Sequence, residues 1–102
     1  MDPITATLLA TTLTFTAADI DQTLKIRHTP GMYELNPMLG RHPSEARVLA
    51  DGALAAAADV AVAEFLPPLY ARTYLGVACA LEVTVVHNNA KRGLGLRWAA
   101  HF

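Results

Sequence analysis

The sequence predicts an all-α protein: a small three-helix transmembrane bundle with a structured polar connector between the first and second helices. Three observations lead there. Charged residues make up 17% of the 102-residue chain and apolar ones 53%, against roughly 25% charged in an average soluble domain. The apolar residues gather in three stretches, each close to the roughly 17–25 residues that cross a bilayer core as a helix. Lys and Arg are sorted to one side of those stretches.

The first span is expected over 4–24. It carries no charge between Ile4 and Ala18 and holds six threonines from Thr5 to Thr16. Threonine is a mediocre helix former in water, but in lipid its hydroxyl can bond back to the preceding turn. The second span is expected over 45–66. It opens at "HPSEARVL", with Ser44 as N-cap and Glu45 in the first turn. Asp51, Asp59 and Glu64 interrupt it, yet "GALAAAADVAVAEFL" has no polar stripe wide enough for a surface helix. Its small residues Ala53, Ala56, Ala57 and Ala61 allow close helix approach instead. Pro67-Pro68 ends it, because proline cannot donate within a helix and restricts its predecessor. The third span, 69–88, is interrupted by Arg72 and Glu82.

The connector, 25–44, and a tail, 89–102, complete one single-domain chain. Asn36 can form an Asx-turn before Pro37, Gly40 suits a helix C′ position, and Pro43 stiffens entry into the second span. Trp98, Phe102 and Arg97 suit an interfacial tail. The connector side and the tail hold Lys25, Arg27, Arg41, Arg47, Lys91, Arg92 and Arg97, which is all but Arg72 of the eight basic residues. The positive-inside rule therefore puts connector and C-terminus in the cytoplasm and the N-terminus outside. The "MDPITATLLATT" start lacks the basic n-region of a usual signal peptide.

Polar residues are expected to converge near the cytoplasmic face. Asp19, Gln22, Asp51, Glu82, His87 and Asn88 fall at similar depth at about 1.5 Å per residue, with Glu34, Asn36 and His42 of the connector folded over them. Such a layer can be a site, with carboxylates and His for a divalent metal or acid–base pair. It can equally be a structural network pinning the connector across the helices. Mixed Asp, Glu, His and Asn at this spacing match no metal signature. Asp59 lies close to mid-bilayer and is the partner-facing candidate; protonation or pairing with Arg72 are its alternatives.

Other classes are excluded or unsupported. A net charge of −1 without a basic stripe gives no reason to expect nucleic acid. The lone Cys79 excludes an internal disulfide and a Cys-rich zinc site, and its apolar surroundings suggest a buried small hydrophobe. No phosphate-binding loop, nucleophile elbow or zinc motif is present, so no cofactor is implied.

The elements "DIDQT" at Asp19, "YELNPMLGRHPS" from Tyr33 to Ser44, then Arg72, Glu82 and "HNNAKRGLGLR" from His87, resemble a group of short membrane proteins of bacteriophages and prophages. The resemblance covers most of the chain from Asp19 onward and is most specific in E-x-N-P-x-L-G-x-H-P-S. Ile20 departs from it, standing where an aromatic is frequent. It implies a bacterial inner-membrane protein of about three helices and brings no activity with it. The expected partners are membrane lipid and either a second copy or another membrane protein. Contact of this kind would suit a lysis or exclusion-type accessory role. The alternatives are a membrane enzyme or metal site on the polar layer, and a soluble helical binding module.

Overall fold

In a computed structural model, residues 1–25 and 44–93 are described. They form three helices and no strand: α1 (Pro3–Lys25), α2 (Glu45–Phe65) and α3 (Pro68–Lys91). The connector positions Glu34, Asn36 and His42, and the tail residues Arg97, Trp98 and Phe102, lie outside the described residues.

Local chemistry sets the ends. Asp2 caps α1: the Thr5 amide donates to Asp2 Oδ1 at 2.9 Å and the Ala6 amide to the Asp2 carbonyl at 2.9 Å. Pro3 then fills the first helical position, where its missing N–H costs nothing. Ser44 caps α2 as expected, with Arg47 N–H donating to Ser44 Oγ at 3.1 Å. The α2–α3 junction is tight. Leu66 and Pro67 are extended, and Pro68 begins α3. Helix α3 runs past the expected end at 88 to Lys91. There Gly93 takes the left-handed φ of 92° that a helix C′ position favours.

Contacts fix an up-down-up arrangement. Asp2 meets Arg72 and Gln22 meets Val86, so α1 and α3 run parallel. Gly52 of α2 meets Ile20, near the other end of α1. The α1–α3 contact is the most extensive and the α2–α3 contact the least. A Cβ at position 52 would run into the Ile20 side chain, so glycine sets how closely α1 and α2 approach.

The interior is unusually polar. Thr5, Thr12, Thr16, Gln22, Thr23, Asp59 and Asn89 are buried beside Leu24, Val48, Ala63, Ala71 and Leu75. Large apolar side chains point outward instead, among them Leu54 at 72% and Phe65 at 85% exposure. Cys79, expected to be buried, is only half-buried. The threonine hydroxyls of α1 bond as expected within their own helix: Thr7 donates to the Pro3 carbonyl, Thr11 to Thr7 and Thr14 to Ala10, each at 2.8 Å.

The three helices have 23, 21 and 24 residues, long enough at about 1.5 Å per residue for a roughly 30 Å hydrocarbon core. By length and composition together, one of the described helices, α3, is long and apolar enough to cross a membrane. Helix α2 is broken up by Asp51, Asp59 and Glu64, and α1 by its threonines and by Asp19 and Asp21.

Candidate functional site

The three helices enclose a cleft of about 40 Å³ lined by Thr16, Asp19, Thr23, Asp51, Gly52 and Glu82, among others. Its geometry follows from helical periodicity. Thr16, Asp19, Ile20 and Thr23 on α1 share one face at i, i+3, i+4 and i+7. Val48, Asp51, Gly52 and Ala55 on α2 repeat that spacing. Helix α3 adds Glu82. Thr23 Oγ1 donates to Asp19 Oδ1 at 3.3 Å. The Glu82 Oε2 is buried without a hydrogen-bond partner.

Toward the basic end, a ladder of amides ties α1 to α3. Gln22 Nε2 donates to the Val86 carbonyl at 3.1 Å, and Asn89 Nδ2 donates to Gln22 Oε1 at 3.3 Å. Arg92 Nη1 donates to Asn89 Oδ1 at 3.4 Å. Gln22 and Asn89 are both buried, which makes these bonds a condition for packing rather than an ornament.

At the opposite end Arg72 Nη2 donates to Asp2 Oδ1 at 3.0 Å. Asp2 also accepts from the Thr5 amide and from Thr5 Oγ1, the latter at 2.7 Å. The Thr5 amide, the Thr5 hydroxyl and the Arg72 guanidinium hold the Asp2 carboxyl well below its ordinary 3.8, outweighing partial burial.

Of the residues expected in the polar layer, Asp19, Asp51 and Glu82 come together at the cleft and Gln22 lies in the adjoining ladder. His87 and Asn88 do not join them and are exposed. The neighbouring Asn89 takes the interior position, because Glu82, Val86 and Asn89 are four and three residues apart on one helical face. Glu34 and Asn36 fall outside the described residues. Asp59 does not face outward to a partner: it is 5% exposed, inside the bundle. Arg72 pairs with Asp2 and not with Asp59. Sequence reasoning missed Asp2 and Asn89; Asp2-Pro3 carried the helix-start signal of a capping acid before a proline.

Among the described residues, no group of three or more His, Cys, Asp or Glu is arranged to hold a metal ion. No family model matches the chain, and neither curated proteins nor solved structures give a match.

Proposed function

We propose that the chain is a small bacterial inner-membrane protein of the phage type, with three spans, acting by helix contact with a second copy or another membrane protein. The observation that carries this is the inversion of its polarity. A soluble bundle hides its large apolar side chains, and contiguous exposed apolar surface is rare in monomers. Here Leu54, Phe65, Leu69, Tyr70, Val77 and Leu81 are exposed while Thr12, Gln22, Asp59 and Asn89 are buried. In lipid that arrangement is the stable one, since polar groups turn to the bundle interior. A groove of about 720 Å³ along α1, mostly apolar, is lined by Leu13, Phe15, Ala18 and, from α3, Val86, with Thr14 and Asp21 beside them.

The ends of the bundle agree with an N-terminus outside. Lys25, Arg47, Lys91 and Arg92 cluster where α1 and α3 finish and α2 begins. Arg72 sits at the other end with Asp2. That is the asymmetry the positive-inside rule reads.

The contact surface is on α2. Ala53, Ala57 and Ala61 recur every fourth residue on an exposed face of the helix that touches its neighbour α3 least. Small residues at that spacing let two helix backbones approach in lipid.

Two measurements test the proposal. Carbonate washing of membranes should leave the chain in the pellet; release into buffer would end it. Ala57→Cys in a Cys79→Ser background should then crosslink to a second chain or a stoichiometric partner within the membrane, and a chain that captures neither acts in some other way.

A further inference from the structure

We infer that the end of the bundle opposite the basic cluster is a lipid-binding collar, seated among the headgroups and upper acyl chains of a phospholipid leaflet. The inference rests on the lipid-embedded bundle above, but not on its acting through a second copy or a partner.

Three helix ends meet there. Asp2, Glu64, Leu66 and Pro68 line one pocket, which brings together the start of α1, the finish of α2 and the start of α3. What this end exposes is apolar and aromatic: Ile4, Phe65, Leu66, Leu69, Tyr70 and Tyr74. Of its charged side chains, Asp2 and Arg72 satisfy each other at 3.0 Å, and Glu64 is exposed. The other end carries Lys25, Arg47, Lys91 and Arg92 instead. Exposed apolar patches mark surfaces that are covered by a protein or a membrane.

Two observations select the membrane. The first is chemical. Tyr70 and Tyr74 stand four residues apart on one face of α3. A tyrosine joins an apolar ring to a hydroxyl that needs a partner, which suits the level where acyl chains give way to esters and phosphates. The backbone fits that level too. Pro67 and Pro68 bring no N–H, and Leu66 gives its own to the Val62 carbonyl at 3.1 Å. Three successive residues of the α2–α3 turn therefore present no free donor.

The second observation is length, and it recurs in every helix. Ile4 to Lys25 on α1, Phe65 back to Arg47 on α2, and Tyr70 to Lys91 on α3 each span about 27–32 Å at about 1.5 Å per residue. A hydrocarbon core is roughly 30 Å thick. Collar and basic cluster are thus one bilayer apart, a spacing that an end-on protein partner would not require.

The test uses the full chain with Trp98→Phe, which removes its one native tryptophan. Phe65→Trp, Tyr70→Trp and Leu81→Trp are each placed in that background, in phosphatidylcholine vesicles brominated either high or low on the acyl chain. Circular dichroism checks that each variant is helical, and either collar position carries the test if the other misfolds. Phe65→Trp and Tyr70→Trp should lose more emission to the high bromines than to the low ones. Leu81→Trp, at mid-span, should show the reverse order. Red-shifted, unquenched emission at both collar positions would put that end in water and overturn the inference. So would blue-shifted, unquenched emission, because protein would then cover the end, and so would stronger quenching by the low bromines. Any of these beside a deeply quenched Leu81→Trp leaves the membrane assignment standing. Shallow quenching at the collar with Leu81→Trp unquenched would refute the three spans and spare the collar.

Discussion

Arg72 Nη2 donates to Asp2 Oδ1 at 3.0 Å, joining the N-terminal ends of α1 and α3, seventy positions apart in the chain. The same carboxylate caps α1 through the Thr5 amide, so one side chain starts a helix and docks it. The folded-state pKa of Asp2 is depressed, so its contribution is present above the unfolded value of 3.8 and is lost as pH falls below it. Thermal unfolding of the chain in detergent should therefore weaken on acidification below that point. Asp2→Asn should flatten this acid limb; an unchanged limb would mean that other carboxylates govern it.

Gln22 is the central rung between α1 and α3. Gln22→Leu keeps the volume but strips a partner from both the Val86 carbonyl and Asn89 Nδ2. Leaving buried polar groups unpaired should cost roughly 1–3 kcal/mol. A double-mutant cycle with Asn89→Leu should show coupling, because the second change removes the orphaned amide. Additive losses would mean that the 3.3 Å contact contributes nothing.

Gly52 separates two substitutions usually taken as a series. Gly52→Ala drives a methyl into both Cδ1 and Cγ1 of Ile20, a side chain stiff at χ1, and this offsets the about 1 kcal/mol that the helix gains from replacing glycine. Its net effect should be a modest loss of stability. Gly52→Leu should overpack the α1–α2 seam and cost roughly 1–3 kcal/mol, with much of it recovered by Ile20→Ala. Denaturation in detergent reads both; no rescue by Ile20→Ala would displace Ile20 as the cause.

The outer face of α3 offers a test in the membrane itself. Val77 and Leu81 are exposed. Val77→Arg or Leu81→Arg should disfavour insertion by roughly 2.5–3.5 kcal/mol if that face meets lipid near mid-span. An insertion assay on the full chain would read the shift. Tolerance of both would indicate a wetted face.

Much of the frame was legible in the sequence because its punctuation is covalent and local. Ser44, Pro67 and Pro68 mark where α2 begins and where α2 gives way to α3, and hydrogen-bonding capacity alone makes them do so. Depth along a helix was also legible, since the rise per residue is fixed; hence Asp19, Asp51 and Glu82 fall at one level. Azimuth was the weaker inference. His87 and Asn88 share the depth of Val86 and Asn89 but turn outward, as a rotation of about 100° per residue requires. Asp59 erred in the same way: Val48, Gly52, Asp59 and Ala63 lie four, seven and four residues apart, one buried stripe, and that spacing already aimed it inward. What lies in the connector at Glu34 and Asn36 depends on loop conformation, which periodicity does not reach.

The back-bonded threonines of α1 carry a consequence for how such chains are recognised. Transfer scales score a hydroxyl as a group that must be stripped of water when it enters oil. On Thr7, Thr11 and Thr14 the proton is already committed to the turn beneath, at 2.8 Å. A window average over α1 charges the helix for a dehydration it has mostly completed on its own. Segments built this way will rank as more polar than the hydrogen-bonding capacity they leave open.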